Sequence, residues 1–267
     1  MSSDLAGGKL RLDRPAPHVA RLTIDNPGKR NALDHAILDA IASTLPALDD
    51  VRCLLLTATG PVFSAGYDLG RLAGSPGFAE RAEALVAHPF ANAIEALGAF
   101  PYPAVAALNG HAIGGGLELA LSCDLRVAAR GIRVGMPPAK LGLVYSHTGL
   151  RRFLDAIGAP RTRELFLLGR NLPVAVAHAW GLVNEVVDVD GLEAFAVGYA
   201  AEIAANAPLS LTGNKRVIGA LLEAEGALGP DVERELIELR EACFRSEDFQ
   251  EGVRAFGEKR APRWRGR

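Results

Sequence analysis

Gly114-Gly115-Gly116-Leu117-Glu118-Leu119-Ala120-Leu121 is the stretch on which the fold reading turns. It follows an apolar run, Ala104 to Leu108, and opens a helix-like run that is apolar except for one carboxylate. Glycine has no Cβ, so its N–H groups can face a ligand at the start of a helix. Glu118 falls in the first turn, flanked by Leu117 and Leu119. A lone acid among apolar neighbours is an acid–base candidate with a raised pKa. The plainer alternative is a first-turn glutamate favoured by the helix dipole. Both readings stand at the level of sequence.

Moving outward, buried strands and helices alternate. Val19 to Ile24 reads as a strand between Pro17 and Asn26-Pro27-Gly28, and Asp34 caps a helix reaching to about Leu48. Val51 to Thr57, Pro103 to Leu108 and Asp124 to Ala129 are further strands. Phe63 to Leu69 reads as a loop and short turn, and Arg71 to Gly77 as a connection rich in Gly, Ser and Pro. Phe78 to Leu97 is mostly helical, with a break at Pro89. Strands separated by helices imply βαβ-like units with parallel pairing. From about residue 147 helices dominate, over 148–157, 160–168, 173–180, 191–206, 209–225, 231–244 and 247–257. Pro208 marks the expected boundary between a core of residues 1–207 and a helical region of residues 208–267.

Composition narrows the function classes. The chain has 267 residues, 49% of them hydrophobic, enough for one large core with an appendage. Its net charge of −2 sets up no field for nucleic acid or an anionic membrane, and 6% aromatics give no stacking platform. Cys53, Cys123 and Cys243 show no metal-like spacing; the first two read as small core hydrophobes, and a reducing cytosol is the expected compartment. Met1 to Gly8 lacks the pattern of a signal peptide and reads as a flexible lead-in. No stretch is long and apolar enough to span a bilayer. There is no GxGxxG, P-loop or HExxH, and Ser64 lacks the preceding glycine of a GxSxG elbow. The six histidines show no ligand spacing; His111 reads as a loop or strand residue, and His147 stays open.

Four segments, in order, resemble the crotonase superfamily, the enoyl-CoA hydratase/isomerase family. They are Asn26 to Leu33, Phe63 to Leu69, Asn109 to Ala120, and Ser246 to Arg260. The resemblance implies an α/β fold: a spiral of ββα units followed by a helical trimerisation region. It implies a coenzyme A thioester as substrate, no metal or prosthetic group, and a homotrimer or dimer of trimers. It also assigns roles. The amides of Tyr67 and Gly115 would donate to the thioester oxygen of an enolate, and Glu118 would handle the proton. Ala65 and Leu69 would meet the adenine end of the cofactor, and Arg30 its phosphates. Phe256 and Lys259 would reach the cofactor of a neighbouring subunit. For Arg30 a solvated surface charge is the alternative, and for Phe256 and Lys259 an amphipathic helix.

One departure matters. Hydratases of this family use two glutamates; Glu118 matches the first, while the second position falls on Pro138, which has no acid–base chemistry. Met136 to Tyr145 resembles the methylmalonyl-CoA decarboxylase branch, which also lacks the second glutamate and carries a tyrosine where this chain has Tyr145. That branch has histidine where this chain has Tyr67. Tyr145 is therefore a second proton-donor candidate or a pocket-wall residue. Three functions follow: hydratase- or isomerase-type lyase chemistry, decarboxylation of a short malonyl-type thioester, or acyl-CoA binding without turnover.

Overall fold

The computed structural model describes residues 3–67 and 86–265. Leu69 and the connection 71–85 lie outside the described residues. Buried apolar runs make the centre. β4 (Cys53–Ala58), β6 (Ala104–Leu108) and β8 (Leu125–Ala129) are largely buried, as expected of parallel strands covered on both faces. They belong to a seven-stranded sheet of order β1-β2-β3-β4-β6-β8-β11, where β1 is Ser3–Leu5, β2 Leu10–Ala16, β3 Val19–Ile24 and β11 Glu185–Val187. From β3 to β11 the pairing is parallel, with Val19 opposite Cys53 and Leu54 opposite Ala104.

A second sheet has the order β10-β9-β7-β5: Asn171–Pro173, Arg133–Gly135, His111–Ile113 and Val62–Ser64. β4 and β5, β6 and β7, β8 and β9 are successive pairs. In each, the first strand enters the large sheet and the second the small one. The intervening helices are α1 (His35–Thr44), α2 (Ala91–Ala99) and α3 (Gly115–Leu121). Repeating ββα units wind the chain as a spiral, the architecture the resemblance implies.

Beyond β9, the span α4 (His147–Leu168) is interrupted at Gly158, whose φ of +70° and ψ of 168° are not helical, so it consists of the two helical segments expected there. α5 (Val174–Ala179) and α6 (Leu192–Ala204) follow. Pro208 then opens α7 (Pro208–Gly226), leading to α8 (Pro230–Arg245) and α9 (Glu247–Gly257). Lys215 ties α7 to the core, its Nζ bonding Asp124 Oδ2 (2.8 Å) and the Tyr102 carbonyl (3.0 Å). Phe244, Phe249 and Val253 form a separate small cluster with Leu143. No helix among the described residues is long and apolar enough to cross a membrane.

Several expectations need correction. Ser3–Leu5 is no lead-in but an edge strand, folded back on Leu10–Leu12 through a turn with Gly7 and Gly8 at positive φ. Val62–Ser64, expected in a loop, is the strand β5. The helix after Asp34 ends at Thr44 and continues as a 3₁₀ turn, Leu45–Ala47, because Pro46 has no N–H to extend the α-helical ladder. β2 escapes the sequence pattern because Pro15 falls where the ladder shifts register, between Asp13 and Ala16. The break at Pro89 does occur, as a π-helical turn over Val86–Phe90 ahead of α2.

Candidate active site

Asn31 organises one side of the site. It is fully buried, and its Nδ2 donates to the carbonyls of Thr59 (2.8 Å) and Val62 (2.7 Å). Its Oδ1 accepts from the Asn26 amide (2.7 Å), and its carbonyl accepts from Ser64 Oγ (2.8 Å). The segment 26–33 is thus stitched to the segment 63–67. The Ala65 amide donates to the Arg30 carbonyl (3.0 Å), and the Leu33 amide to the Gly66 carbonyl (2.8 Å). Leu33 and Tyr67 face each other across a short parallel bridge.

This loop presses on the start of α3. Gly66 has φ +87°, and a Cβ there would lie 2.9 Å from the Ile113 carbonyl and 3.1 Å from the Gly115 nitrogen. A Cβ on Gly116 would lie 2.5 Å from the Ser64 carbonyl. Only glycines allow the two turns so close together. Gly114, with φ +57° and ψ −127°, caps the helix, and its carbonyl takes the amides of Leu117 and Glu118. Gly115 is the first helical residue, so its N–H has no carbonyl one turn back to donate to. The Tyr67 ring lies against Gly115, at 3.1–3.3 Å from where a Cβ would stand, and meets Phe90 edge-on at 4.9 Å.

The helix then carries Glu118 inward, where it is only 3% exposed. The Tyr145 hydroxyl donates to Glu118 Oε2 in a short hydrogen bond. Arg152 Nη1 stands 3.6 Å from Glu118 Oε1. Gly149, on the first turn of α4, leaves room for both groups. A Cβ there would lie 2.7 Å from Glu118 Oε1 and equally close to Tyr145 Cε1. Ser146 fixes that turn by accepting the Gly149 amide (3.1 Å). The Tyr67 hydroxyl lies within electrostatic reach of both Glu118 and Tyr145.

Burial pushes the Glu118 carboxyl above its ordinary pKa, against the Tyr145 hydrogen bond and the charges of Arg152 and Arg240. Burial, and then the Glu118 charge, push both tyrosine hydroxyls well above theirs. The arrangement is a buried carboxyl with a raised pKa and two tyrosine hydroxyls beside main-chain donors. At the position of a second carboxylate, Pro138 is buried and opens a 3₁₀ turn, Pro138–Leu141.

The structure therefore brings Tyr67, Gly115, Glu118 and Tyr145 together. Arg30 sits at φ +53° on the exposed edge of the same loop system, and Ala65 is beside it. Phe256 and Lys259 stand elsewhere, exposed at the end of α9, whose helix packs on the Pro138–Leu141 turn and on α8. Leu69 is not described. His147 is the first residue of α4, with its Nε2 3.5 Å from Glu233 Oε1. Sequence reading missed the roles of Asn31, Gly149, Arg152 and Arg240. Asn31 alone left a local signal, as a buried-type amide inside a quoted motif; the others reach the site only through helix packing.

With that geometry in place, the comparisons are specific. A family model described as enoyl-CoA hydratase/isomerase matches residues 16–267. The 2,3-dehydroadipyl-CoA hydratase of Escherichia coli is 32% identical over 253 residues, covering 93% of this chain and 96% of the relative. The mevalonyl-coenzyme A hydratase of Beauveria bassiana is 33% identical over 269 residues, covering 94% and 92%. A solved structure of methylmalonyl-CoA decarboxylase in complex with 2-nitronate-propionyl-CoA superposes with a TM-score of 0.88 at 30% identity, covering 97% of this chain and 99% of that one. The chain belongs to the enoyl-CoA hydratase/isomerase family of the crotonase superfamily.

Proposed function

We propose that the chain is a lyase or isomerase of coenzyme A thioesters that works through an enolate and one carboxylic acid. The amides of Tyr67 and Gly115 donate to the thioester oxygen as charge develops there. A donor so placed in a dry site is worth about 3–4 kcal/mol. Glu118 moves the proton at the α-carbon, with Tyr145 holding its carboxyl in place. The observation that carries this reading is the convergence of the buried Glu118 with the glycine turns at Gly66 and Gly115. Arg30, Ala65 and Leu69 are proposed to meet the cofactor, and Phe256 and Lys259 that of a neighbouring subunit.

A second reading is favoured by Pro138 and Tyr145. Hydration by two carboxylates cannot run where one is proline. Decarboxylation of a malonyl-type thioester needs only the oxyanion donors and one acid. The bond to the carboxylate breaks, its electron pair becomes the enolate, carbon dioxide leaves, and the α-carbon takes a proton from Glu118 or Tyr145. The similarity to methylmalonyl-CoA decarboxylase supports the same reading.

Incubation with enoyl-, hydroxyacyl- and malonyl-type CoA thioesters, followed by mass, tests both. Gain or loss of water establishes the first, a shifted double bond isomerisation, and loss of carbon dioxide the second. No change in any thioester leaves only a binding protein. We also propose a homotrimer or a dimer of trimers, because Leu209, Val217, Ile218 and Leu221 are exposed along α7. Light scattering showing a monomer would remove that part.

A further inference from the structure

We propose that Arg240 on α8, flanked by Arg152 on α4, forms a subsite for a carboxylate at the far end of the acyl chain. The inference rests on the thioester reading above and narrows its substrate class to dicarboxylic acyl groups.

α8 packs against α4. This brings the Arg240 charge close enough to act on both Glu118 and Tyr67. Arg240 Nε is buried and has no hydrogen-bond acceptor. Its guanidinium lies over the Phe244 ring, 6.0 Å from the centroid. That contact restrains the guanidinium but gives the Nε–H no acceptor. Two other basic side chains of the same helices have acidic partners. Arg151 pairs with Asp155 at 2.6 Å, and His147 faces Glu233 at 3.5 Å. Among the described residues Arg240 has no carboxylate partner of its own.

The one buried acid nearby does not fill that role. Glu118 is committed through Oε2 to Tyr145, and Arg152 already stands by its other oxygen. Arg152 Nη1 stands 3.6 Å from that carboxyl, and Arg240 adds a second guanidinium whose buried Nε has no acceptor. The wall carries surplus positive charge with a donor aimed at nothing. Such a site takes an anion, and the planar fork of arginine matches a carboxylate. A guanidinium bound to a carboxylate that must leave as carbon dioxide would stabilise the ground state and slow its loss. The subsite therefore fits a carboxylate that is retained through the reaction.

The test uses saturated thioesters in matched pairs: glutaryl- against valeryl-CoA, and adipyl- against hexanoyl-CoA, with free CoA as reference. Calorimetric titration of the intact protein should show the carboxylated member of at least one pair binding about tenfold more tightly. In Arg240→Gln that preference should vanish, with affinity for CoA and for the uncharged member unchanged. Arg240→Lys should keep part of it, since charge remains and the fork is lost.

Equal binding within both pairs overturns the proposal, and this arm needs no variant. A preference that survives Arg240→Gln overturns it too. Equal weakening of CoA, charged and uncharged thioesters in that variant would make Arg240 a cofactor-phosphate contact instead. If no thioester and no CoA binds the native protein, the thioester reading itself fails and the subsite falls with it.

Discussion

The turns at Gly66–Tyr67 and Gly114–Gly115 bring main chain to the site, whereas Glu118, Tyr145, Arg152 and Arg240 reach it as side chains from three regions of sequence. The main-chain half is set by the small parallel sheet, by the buried amide of Asn31 and by two contacts that no side chain could fit. Its chemistry is the same whatever residues surround it, because an N–H is common to every residue but proline. The side-chain half depends on how α4 and α8 pack, and it is where Pro138 removes a carboxylate and Tyr145 adds a hydroxyl. The difference suggests a division of labour. In the proposed mechanism the fold supplies enolate stabilisation, and the side chains select which reaction follows.

The largest expected effect comes from removing the acid. Glu118→Gln keeps the size of the side chain and can still accept from Tyr145, but it cannot shuttle a proton. The rate of whichever thioester reaction is found should fall about 10²–10⁴-fold, with binding of an unreactive thioester retained. If no rate changes, Glu118 is only a first-turn glutamate and the side-chain half carries no chemistry.

Next in size is Gly66→Ala, aimed at the other half. The new methyl would need φ +87° and would stand 3.1 Å from the Gly115 nitrogen. It should displace that amide and cost about 10²–10³-fold in kcat, the range for losing one oxyanion donor. Thermal denaturation should be run alongside. Native stability with an unchanged rate would break the claim that these turns hold the reacting oxygen.

The same division explains what could be seen in the sequence. The main-chain half was legible because its glycines lie within two short segments, 63–69 and 109–120. Tyr145 was legible because it ends a segment that departs from the two-glutamate pattern. Gly149 looked like any helical glycine; its meaning is that a Cβ there would stand 2.7 Å from a carboxylate thirty-one residues earlier. Arg152 and Arg240 belong to amphipathic helices in which most charges face water. β7, β9, β10 and β11 have three residues each, too few for an alternation to register. The helices of the second half of the chain, by contrast, run long enough for their period to show.

Gly149→Ala tests whether the side-chain half needs its spacing. The methyl must push Glu118 or Tyr145 aside, and both are buried. A displacement of about 1 Å can cost up to about 10²-fold in rate. The expected result is a fall in kcat of about tenfold or more, with thioester binding unchanged. A rate equal to the native one would show that the pair tolerates movement.

The smallest effect is also the most direct reading of the environment of Glu118. Burial, ahead of every opposing contact, raises its folded-state pKa. The protonated form is therefore favoured in the native protein. Its contribution to stability is fully present below the unfolded-state pKa of about 4.3 and is lost as pH rises through the folded-state value. Glutamine cannot ionise, so in urea titrations the stability of the native protein relative to Glu118→Gln should decline as pH rises from the unfolded-state value and level off beyond the folded-state one. Asp13, held below the ordinary range by its hydrogen bonds to Arg21, acts in the opposite sense. Its contribution is present above the unfolded-state pKa and is lost as pH falls, and it cancels in the difference between the two proteins. A difference that stays flat or rises with pH would mean that Tyr145, Arg152 and Arg240 outweigh burial. Glu118 would then be a carboxylate suited to taking a proton rather than giving one, and the order of steps in the proposed chemistry would reverse.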